Sequence, residues 1–206
     1  MTPEHAPRRA PQPIVALDVA SAREALELVD RLPGADFVKV GLQLYTAAGP
    51  DVVRALRGLG RRVFLDLKFH DIPNTVARAV ESAAALGVEL LTLHAAGGSA
   101  MLRAARAALP RGEAPKLFAV TVLTSLSAPE LAEAWGREGA ISPAEEATRL
   151  AALAHEAGMD GVVASVHVVV AIRGRVGEGL ELLTPGIRLP GDAAGDQARV
   201  ATPADA

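Results

Sequence analysis

The chain has 206 residues, half of them apolar, and a formal net charge of −3 at neutral pH. This length suits one domain with a sizeable core, and the charge leaves no basic surface for nucleic acid. Because the sequence has no cysteine, disulfides, thiolate chemistry and cysteine-based metal sites are excluded. No apolar run is long enough for a membrane span, and residues 1–13 lack the apolar core of a signal peptide. We therefore expect a cytoplasmic protein with a flexible N-terminal tail.

Short apolar runs alternate with helical patterns along the whole chain. The predicted strands are residues 14–18, 37–41, a run that begins at Val63, 89–94, 116–123, 161–164 and 181–184. The first predicted helix runs from a Ser21/Glu24 capping box to about Leu32, and the second contains the apolar residues Val52, Val53, Leu56 and Leu59. The third runs from about Thr75 to Leu86, and the fourth ends at Ala108. A short helix lies near 129–135, and the last runs from a Ser142 cap to Ala157.

Alternating strands and helices predict an α/β fold with parallel strands joined by right-handed crossovers. A spacing of about 25–30 residues between strands, with no recurring motif, favours a (β/α)₈ TIM barrel over a solenoid. A doubly wound open sheet is the alternative, but no G-x-G-x-x-G motif follows the first strand.

Seven strands are predicted, and the barrel would need eight. Thr202, Pro203 and Asp205 have the order of a helix start, directly before the last residue, Ala206. We therefore expect one domain over residues 14–206 that lacks the eighth strand and the last helix of the barrel.

Three charged side chains follow the third apolar run. On a strand, Asp66 and Lys68 share one face, and Asp71 comes just before a turn at Pro73. A buried parallel strand should not carry charges for packing alone, because unpaired buried charges are costly. The alternative is structural, with Asp66 and Lys68 forming an ion pair at the barrel rim and Asp71 capping the next helix.

Polar residues recur where the predicted strands end: Asp18, Lys39, Asp66, Lys68, His94, Thr124 and Arg188. In a barrel these ends form one rim, and active sites lie on that rim. Each residue alone is weak evidence, since His94 could be a structural histidine and Asp18 and Thr124 could be rim caps. The sequence shows neither a Ser-His-Asp order nor a metal-type histidine cluster.

Residues 64–75, FLDLKFHDIPNT, resemble the signature of the orotidine 5′-phosphate (OMP) decarboxylase family. Further stretches resemble the family's other motifs in the same order: ALD at 16–18, VKVG at 38–41, VTVLTS at 120–125, TPGIR at 184–188 and GDQ at 195–197. The resemblance covers about residues 14–206. It implies a homodimeric barrel that converts OMP to UMP in de novo pyrimidine biosynthesis without a cofactor or metal.

The resemblance also implies roles for single residues. Lys68 would protonate C6 of the pyrimidine, and Asp66 would lie beside the substrate carboxylate. Lys39 and Asp71 would complete an alternating array of charges. Asp71 and Thr75 would come from the partner subunit.

The remaining implied roles concern substrate binding. Asp18 and Lys39 would hold the ribose together with Thr75 of the partner, Thr124 would bind the pyrimidine, and Arg188 the phosphate. Gln197 would bridge phosphate and base, and residues 189–196 between them have the composition of a mobile lid or a plain surface loop. The family's Gly-Arg pair on strand eight has no counterpart here.

Two other functions remain open. A Mg²⁺-dependent sugar-phosphate decarboxylase or aldolase of the same superfamily shares the D-x-K-x-x-D core, but would want an acidic ligand where Lys39 and Gly41 stand. A non-catalytic barrel that binds a phosphate ligand is the second alternative, and the intact Asp66, Lys68 and Asp71 argue against it.

Overall fold

The structure is a computed structural model that describes residues 11–110, 112–139, 141–187 and 201–202. Its strands are β1 Val15–Ala16, β2 Phe37–Gly41, β3 Arg62–Phe69, β4 Leu90–His94, β5 Lys116–Val120, β6 Gly161–Val163 and β7 Glu181–Leu183. Its helices are α1 Ala22–Asp30, α2 Leu42–Ala48, α3 Asp51–Gly58, α4 Pro73–Ala85, α5 Gly98–Ala107, α6 Ala128–Ala134, α7 Pro143–Glu156 and α8 Val169–Val176. Among the described residues, no helix is long and apolar enough to cross a membrane.

The strand order, β1 to β7, follows the order of the chain. The pairs β1–β2, β4–β5, β5–β6 and β6–β7 are parallel. A doubly wound sheet would reverse its strand order at a switch point, and this sheet does not. The doubly wound alternative is therefore wrong. The chain divides into two compact units, one ending at Phe64 and the other beginning at Leu65 within β3.

In the first unit, a parallel pair of strands sets the position of the polar residues. Val15 lies opposite Val38 and Ala16 opposite Lys39, and the N–H of Leu17 donates to the Lys39 carbonyl at 3.0 Å. β2 has its predicted bounds, whereas β1 ends two residues before Asp18. Asp18 therefore follows the strand rather than ending it.

The helices of the first unit show one confirmed start and one missed element. The Ser21 hydroxyl accepts the N–H of Glu24 at 3.2 Å, as the capping box predicts, but the Glu24 carboxylate accepts from Ala20 instead of Ser21. α2 was not predicted and begins directly after Gly41. α3 buries the apolar positions predicted for it except Leu59, which follows the helix and is 58% exposed.

In the second unit, the buried strands β4 and β5 pair over five positions, from Leu90 opposite Lys116 to His94 opposite Val120. α4 begins at Pro73, two residues earlier than predicted, because proline suits the first helical turn. Gly87 follows the C-cap of α4 and has a φ of +69°, a conformation that glycine adopts without strain, so glycine ends this helix as the sequence predicts. Ser142 caps α7 by accepting the N–H of Glu145 at 3.3 Å.

α8 was not predicted. Its run of β-branched residues from Val166 to Ile172 is typical of a strand rather than a helix. In the structure α8 packs on α7 and buries Ile172. Arg173 donates to the carbonyls of Gly177 at 3.0 Å and Leu180 at 2.6 Å, which satisfies carbonyl groups after the helix end. Tertiary contacts therefore override the local preference.

Candidate active site

An ion pair in the second unit joins the two charged residues predicted to share a face of β3. Lys68 Nζ lies 2.7 Å from Asp66 Oδ2, and the side chains are 29% and 12% exposed. Val63, Phe64 and Leu65 before them are buried. The pairing offsets the cost of holding the Asp66 carboxylate in a largely buried position.

Thr92 of β4 completes this group and was not predicted as a site residue. Its hydroxyl donates to Asp66 Oδ1 at 2.8 Å and accepts the backbone N–H of Lys68 at 3.1 Å. The side chain is fully buried. The available signal was a hydroxyl two residues before His94, and so on the same strand face, in a run otherwise made of leucine.

Lys68 has an unusual backbone conformation. Its φ is +50°, and it is the one residue other than glycine, within the described ranges, with a positive φ. Non-glycine residues held in this region cost about 1–3 kcal/mol and cluster at functional sites. The strained residue of β3 is therefore the one whose ammonium the sequence predicts to be catalytic.

His94 ends β4 next to a second histidine. The ring centroids of His70 and His94 are 5.5 Å apart, with the rings tilted by 41°. Burial lowers the pKa of the His94 imidazole below its ordinary value of 6.5, and the nearby His70 and Lys68 lower it further, against an opposing effect of Asp66. The folded protein therefore favours neutral His94.

This shift predicts a pH dependence of stability. Between the lowered pKa of folded His94 and about 6.5, the unfolded chain binds more protons than the folded one, so the free energy of unfolding decreases as the pH falls. In a His94→Asn variant we expect a shallower decrease between pH 7 and pH 5. Urea unfolding at several pH values gives the free energy of unfolding of both proteins. An equal decrease of that free energy in the variant and in the unaltered protein would contradict the prediction.

In the first unit, two of the polar residues predicted at strand ends, Asp18 and Lys39, form an ion pair. Lys39 Nζ lies 2.9 Å from Asp18 Oδ1, and the side chains are 21% and 68% exposed. Gly41 leaves room beside them, because a Cβ at this position would lie 3.1 Å from Lys39 Nζ. The parallel register of β1 and β2 brings these residues together, as expected for neighbouring strand ends.

The structure places three more predicted site residues without testing their roles. Asp71 is exposed, and its carboxylate accepts the N–H of Ile72 at 2.6 Å. Ile72 is the N-cap of α4, so the alternative in which Asp71 is the N-cap is wrong. Thr75 is exposed in the first turn of α4, and Thr124 is buried in the turn after β5.

Two predicted residues, Arg188 and Gln197, lie outside the described residues, as do the loop 189–196, the helix start at 203–206 and most of the N-terminal tail. Thr202 is described, next to Ala201, which forms a parallel bridge with Ile187. Within the described part of the chain, no group of three or more His, Asp or Glu residues is placed to hold a metal ion.

Comparison with known proteins points to one family. The model of the "Orotidine 5′-phosphate decarboxylase / HUMPS family" matches residues 11–206. A protein named orotidine 5′-phosphate decarboxylase from Pectobacterium carotovorum subsp. carotovorum (strain PC1) is 50% identical over 196 residues, covering 94% of this chain and 78% of that protein.

Solved structures agree. The crystal structure of orotidine 5′-phosphate decarboxylase from Lactobacillus acidophilus matches with a TM-score of 0.77 and 40% identity, covering 85% of this chain and 80% of that one. The inhibitor-bound orotidine 5′-monophosphate decarboxylase from Methanocaldococcus jannaschii has a TM-score of 0.71 at 23% identity, covering 90% of this chain and 82% of that one, and it shares the fold. These matches confirm the predicted TIM-barrel fold class and the resemblance found in residues 64–75. The chain belongs to the orotidine 5′-phosphate decarboxylase / HUMPS family.

Proposed function

We propose that this protein is a carboxy-lyase that converts OMP to UMP, with Lys68 as the acid that protonates C6. The Asp66–Lys68 pair, 2.7 Å apart near the end of β3, carries the proposal. It supplies a cation fixed in place by a carboxylate in a chain half identical to a named OMP decarboxylase. In this proposal the protein acts in pyrimidine nucleotide synthesis in the cytoplasm.

The chemistry explains why a fixed ammonium is needed. Loss of carbon dioxide from C6 leaves a carbanion in the plane of the pyrimidine ring, with no adjacent carbonyl that delocalises it fully. An ammonium beside C6 stabilises this charge and then delivers a proton to it. At an effective dielectric constant of about 20, opposite charges 4 Å apart attract by about 4 kcal/mol. That energy corresponds to about a 10³-fold change in rate.

The flanking carboxylates serve the ammonium. Asp66 orients the Lys68 ammonium through their contact at 2.7 Å, and it lies beside the substrate carboxylate in this proposal. Asp71 contributes a second carboxylate from the partner subunit of a homodimer. This role is supported by the position of Asp71, whose side chain is exposed on its own chain.

The other site residues bind parts of the substrate. In the proposal, Asp18 and Lys39 hold the ribose hydroxyls together with Thr75 of the partner subunit, and Thr124 binds the pyrimidine. Arg188 binds the phosphate and Gln197 bridges toward the base. In the proposal, neither the loss of carbon dioxide nor the protonation of C6 uses a metal or a cofactor.

Conversion of OMP to UMP changes the ultraviolet absorbance of the pyrimidine, and this change tests the proposal on the purified protein. We expect turnover that is unaffected by EDTA. Activity abolished by EDTA would instead favour the alternative of a Mg²⁺-dependent sugar-phosphate decarboxylase or aldolase. Binding of UMP without any release of carbon dioxide from OMP would favour the non-catalytic alternative.

Gly41 provides a test of the ribose-binding pair. The added methyl group of Gly41→Ala would lie 3.1 Å from Lys39 Nζ, which must move by a few tenths of an ångström. Gly41 has a φ of −93°, so alanine causes no backbone strain. Because the shift weakens contacts to the ribose, we expect KM for OMP to rise about threefold to tenfold, from a loss of about 1 kcal/mol.

Gly58→Ala is the matched control, because its Cβ would meet nothing within 4 Å. Steady-state kinetics on both variants measures the difference. An unchanged KM in Gly41→Ala, or the same rise in both variants, would contradict the assignment of Asp18 and Lys39 to the ribose.

A further inference from the structure

We propose that Thr92 is a positioning residue for the decarboxylation, because its hydroxyl holds the backbone of Lys68 and the carboxylate of Asp66 at the same time. The inference rests on the proposed function and adds to it a residue from β4. Thr92 itself is fully buried and contacts both members of the charged pair. Its effect on the reaction is therefore exerted through Lys68 and Asp66.

The three residues form a closed ring of hydrogen bonds. The Lys68 N–H donates to Thr92 Oγ1, the Thr92 hydroxyl donates to Asp66 Oδ1, and Lys68 Nζ donates to Asp66 Oδ2. A backbone N–H can only donate, and an ionised carboxylate can only accept. The single hydroxyl proton of Thr92 must therefore point to Asp66, so the direction of every bond in the ring is determined.

The ring acts on the backbone of Lys68. A lysine with a φ of +50° is strained, and it persists only where its surroundings enforce it. The Thr92 hydroxyl accepts the N–H of Lys68 at 3.1 Å, and so supplies one of the contacts that hold this strained backbone conformation.

The ring also acts on the side chain of Lys68. Both oxygens of Asp66 are engaged, one by Thr92 at 2.8 Å and the other by the ammonium at 2.7 Å. The carboxylate is therefore fixed in its plane, and with it the position of the ammonium. A proton donor held this way needs little reorganisation when charge develops on the substrate.

Removing one hydroxyl tests this role. In Thr92→Val, which keeps the shape of the side chain, we expect kcat to fall about tenfold to 100-fold, since a small displacement of a catalytic group has effects of this size. KM for OMP and Kd for UMP should stay within about twofold, because Thr92 does not bind substrate. Thr92→Ser retains the hydroxyl and should recover most of kcat.

Thr121→Val is the matched control. Thr121 is also a buried threonine, but its hydroxyl donates to the carbonyl of Val163 at 2.9 Å. Its loss removes a buried hydrogen bond of similar length without touching Lys68 or Asp66. We expect its kcat to remain near that of the unaltered protein, so an equal loss of kcat in both variants would overturn the positioning role.

Hydrogen exchange gives a readout that is independent of catalysis. The Lys68 amide should exchange at least about tenfold faster in Thr92→Val and remain protected in Thr92→Ser, because only valine removes its acceptor. Turnover by the unaltered protein with an unchanged kcat in Thr92→Val would overturn the positioning role alone. No turnover of OMP by the unaltered protein would overturn the proposed function. In that case, an unchanged exchange rate of the Lys68 amide in Thr92→Val would also show that Thr92 does not hold the backbone of β3.

Discussion

In a Lys68→Ala variant, we expect kcat for OMP to fall by about 10³-fold or more. The substitution removes both the proton donor and the cation that stabilises the carbanion, and each effect alone is typically worth at least about 10²-fold. The attraction of about 4 kcal/mol estimated for one ammonium at 4 Å gives the same order. The absorbance assay for OMP conversion measures the loss.

The fold should tolerate this change. The Asp66 carboxylate that is left is largely buried, with 12% of its side chain exposed, but it keeps the hydrogen bond from the Thr92 hydroxyl at 2.8 Å. The lysine side chain that is removed is 29% exposed, so water can enter its place beside Asp66. Lys116→Ala is the matched control, because Lys116 also ends in an ion pair with a carboxylate, that of Glu181, but lies at the start of β5. We expect near-normal kcat in this control.

A folded Lys68→Ala protein with ordinary turnover would refute the assignment of Lys68 as the acid. Thermal unfolding and the affinity for UMP establish that the variant is folded and binds. If Lys68→Ala and Lys116→Ala lost activity equally, the loss would reflect a general need for lysine ion pairs rather than chemistry at C6.

The period of a β-strand was sufficient to predict the charged pair. Alternation places Asp66 and Lys68 on one face from their spacing alone, and the structure joins them at 2.7 Å. The bounds of β2 and the Ser142 cap of α7 were also predictable, since both depend on residues that are neighbours in the chain.

Thr92 could not be predicted in the same way. Its contact with Asp66 spans 26 positions in the chain and depends on how β4 lies against β3. The hydrophobic pattern of a buried strand says little about register, because both faces are apolar. The left-handed φ of Lys68 was equally hidden, since lysine carries no preference for that conformation.

The missed helices show the same limit. The β-branched residues between Val166 and Ile172, where α8 begins, favour a strand locally. The helical state is stabilised by packing on α7 and by the hydrogen bonds of Arg173 to carbonyls beyond the helix end. α2 is a seven-residue helix that follows β2 without a loop, so the sequence has no loop between them that indicates where the helix begins. Local sequence predicts secondary structure least well where an element depends on contacts with elements that are distant in the chain.

Mixing two inactive variants should restore activity, if the site is shared between subunits. We expect Lys68→Ala and Asp71→Ala to be nearly inactive alone. In a heterodimer, one site carries both substitutions and the other carries neither. Random exchange of equal amounts makes half the dimers mixed, so about one quarter of the unaltered activity should return.

Asp66→Ala mixed with Lys68→Ala is the matched control for that experiment. Asp66 and Lys68 pair within one chain at 2.7 Å, so each site of such a heterodimer retains one defect, and no activity should return. Asp71 lies only three residues from Lys68 in the chain, yet its exposed carboxylate accepts the N–H of Ile72. That position leaves it available to another subunit. If native mass spectrometry shows exchanged dimers and the Asp71 mixture stays inactive, Asp71 acts within its own chain and the sites are not shared.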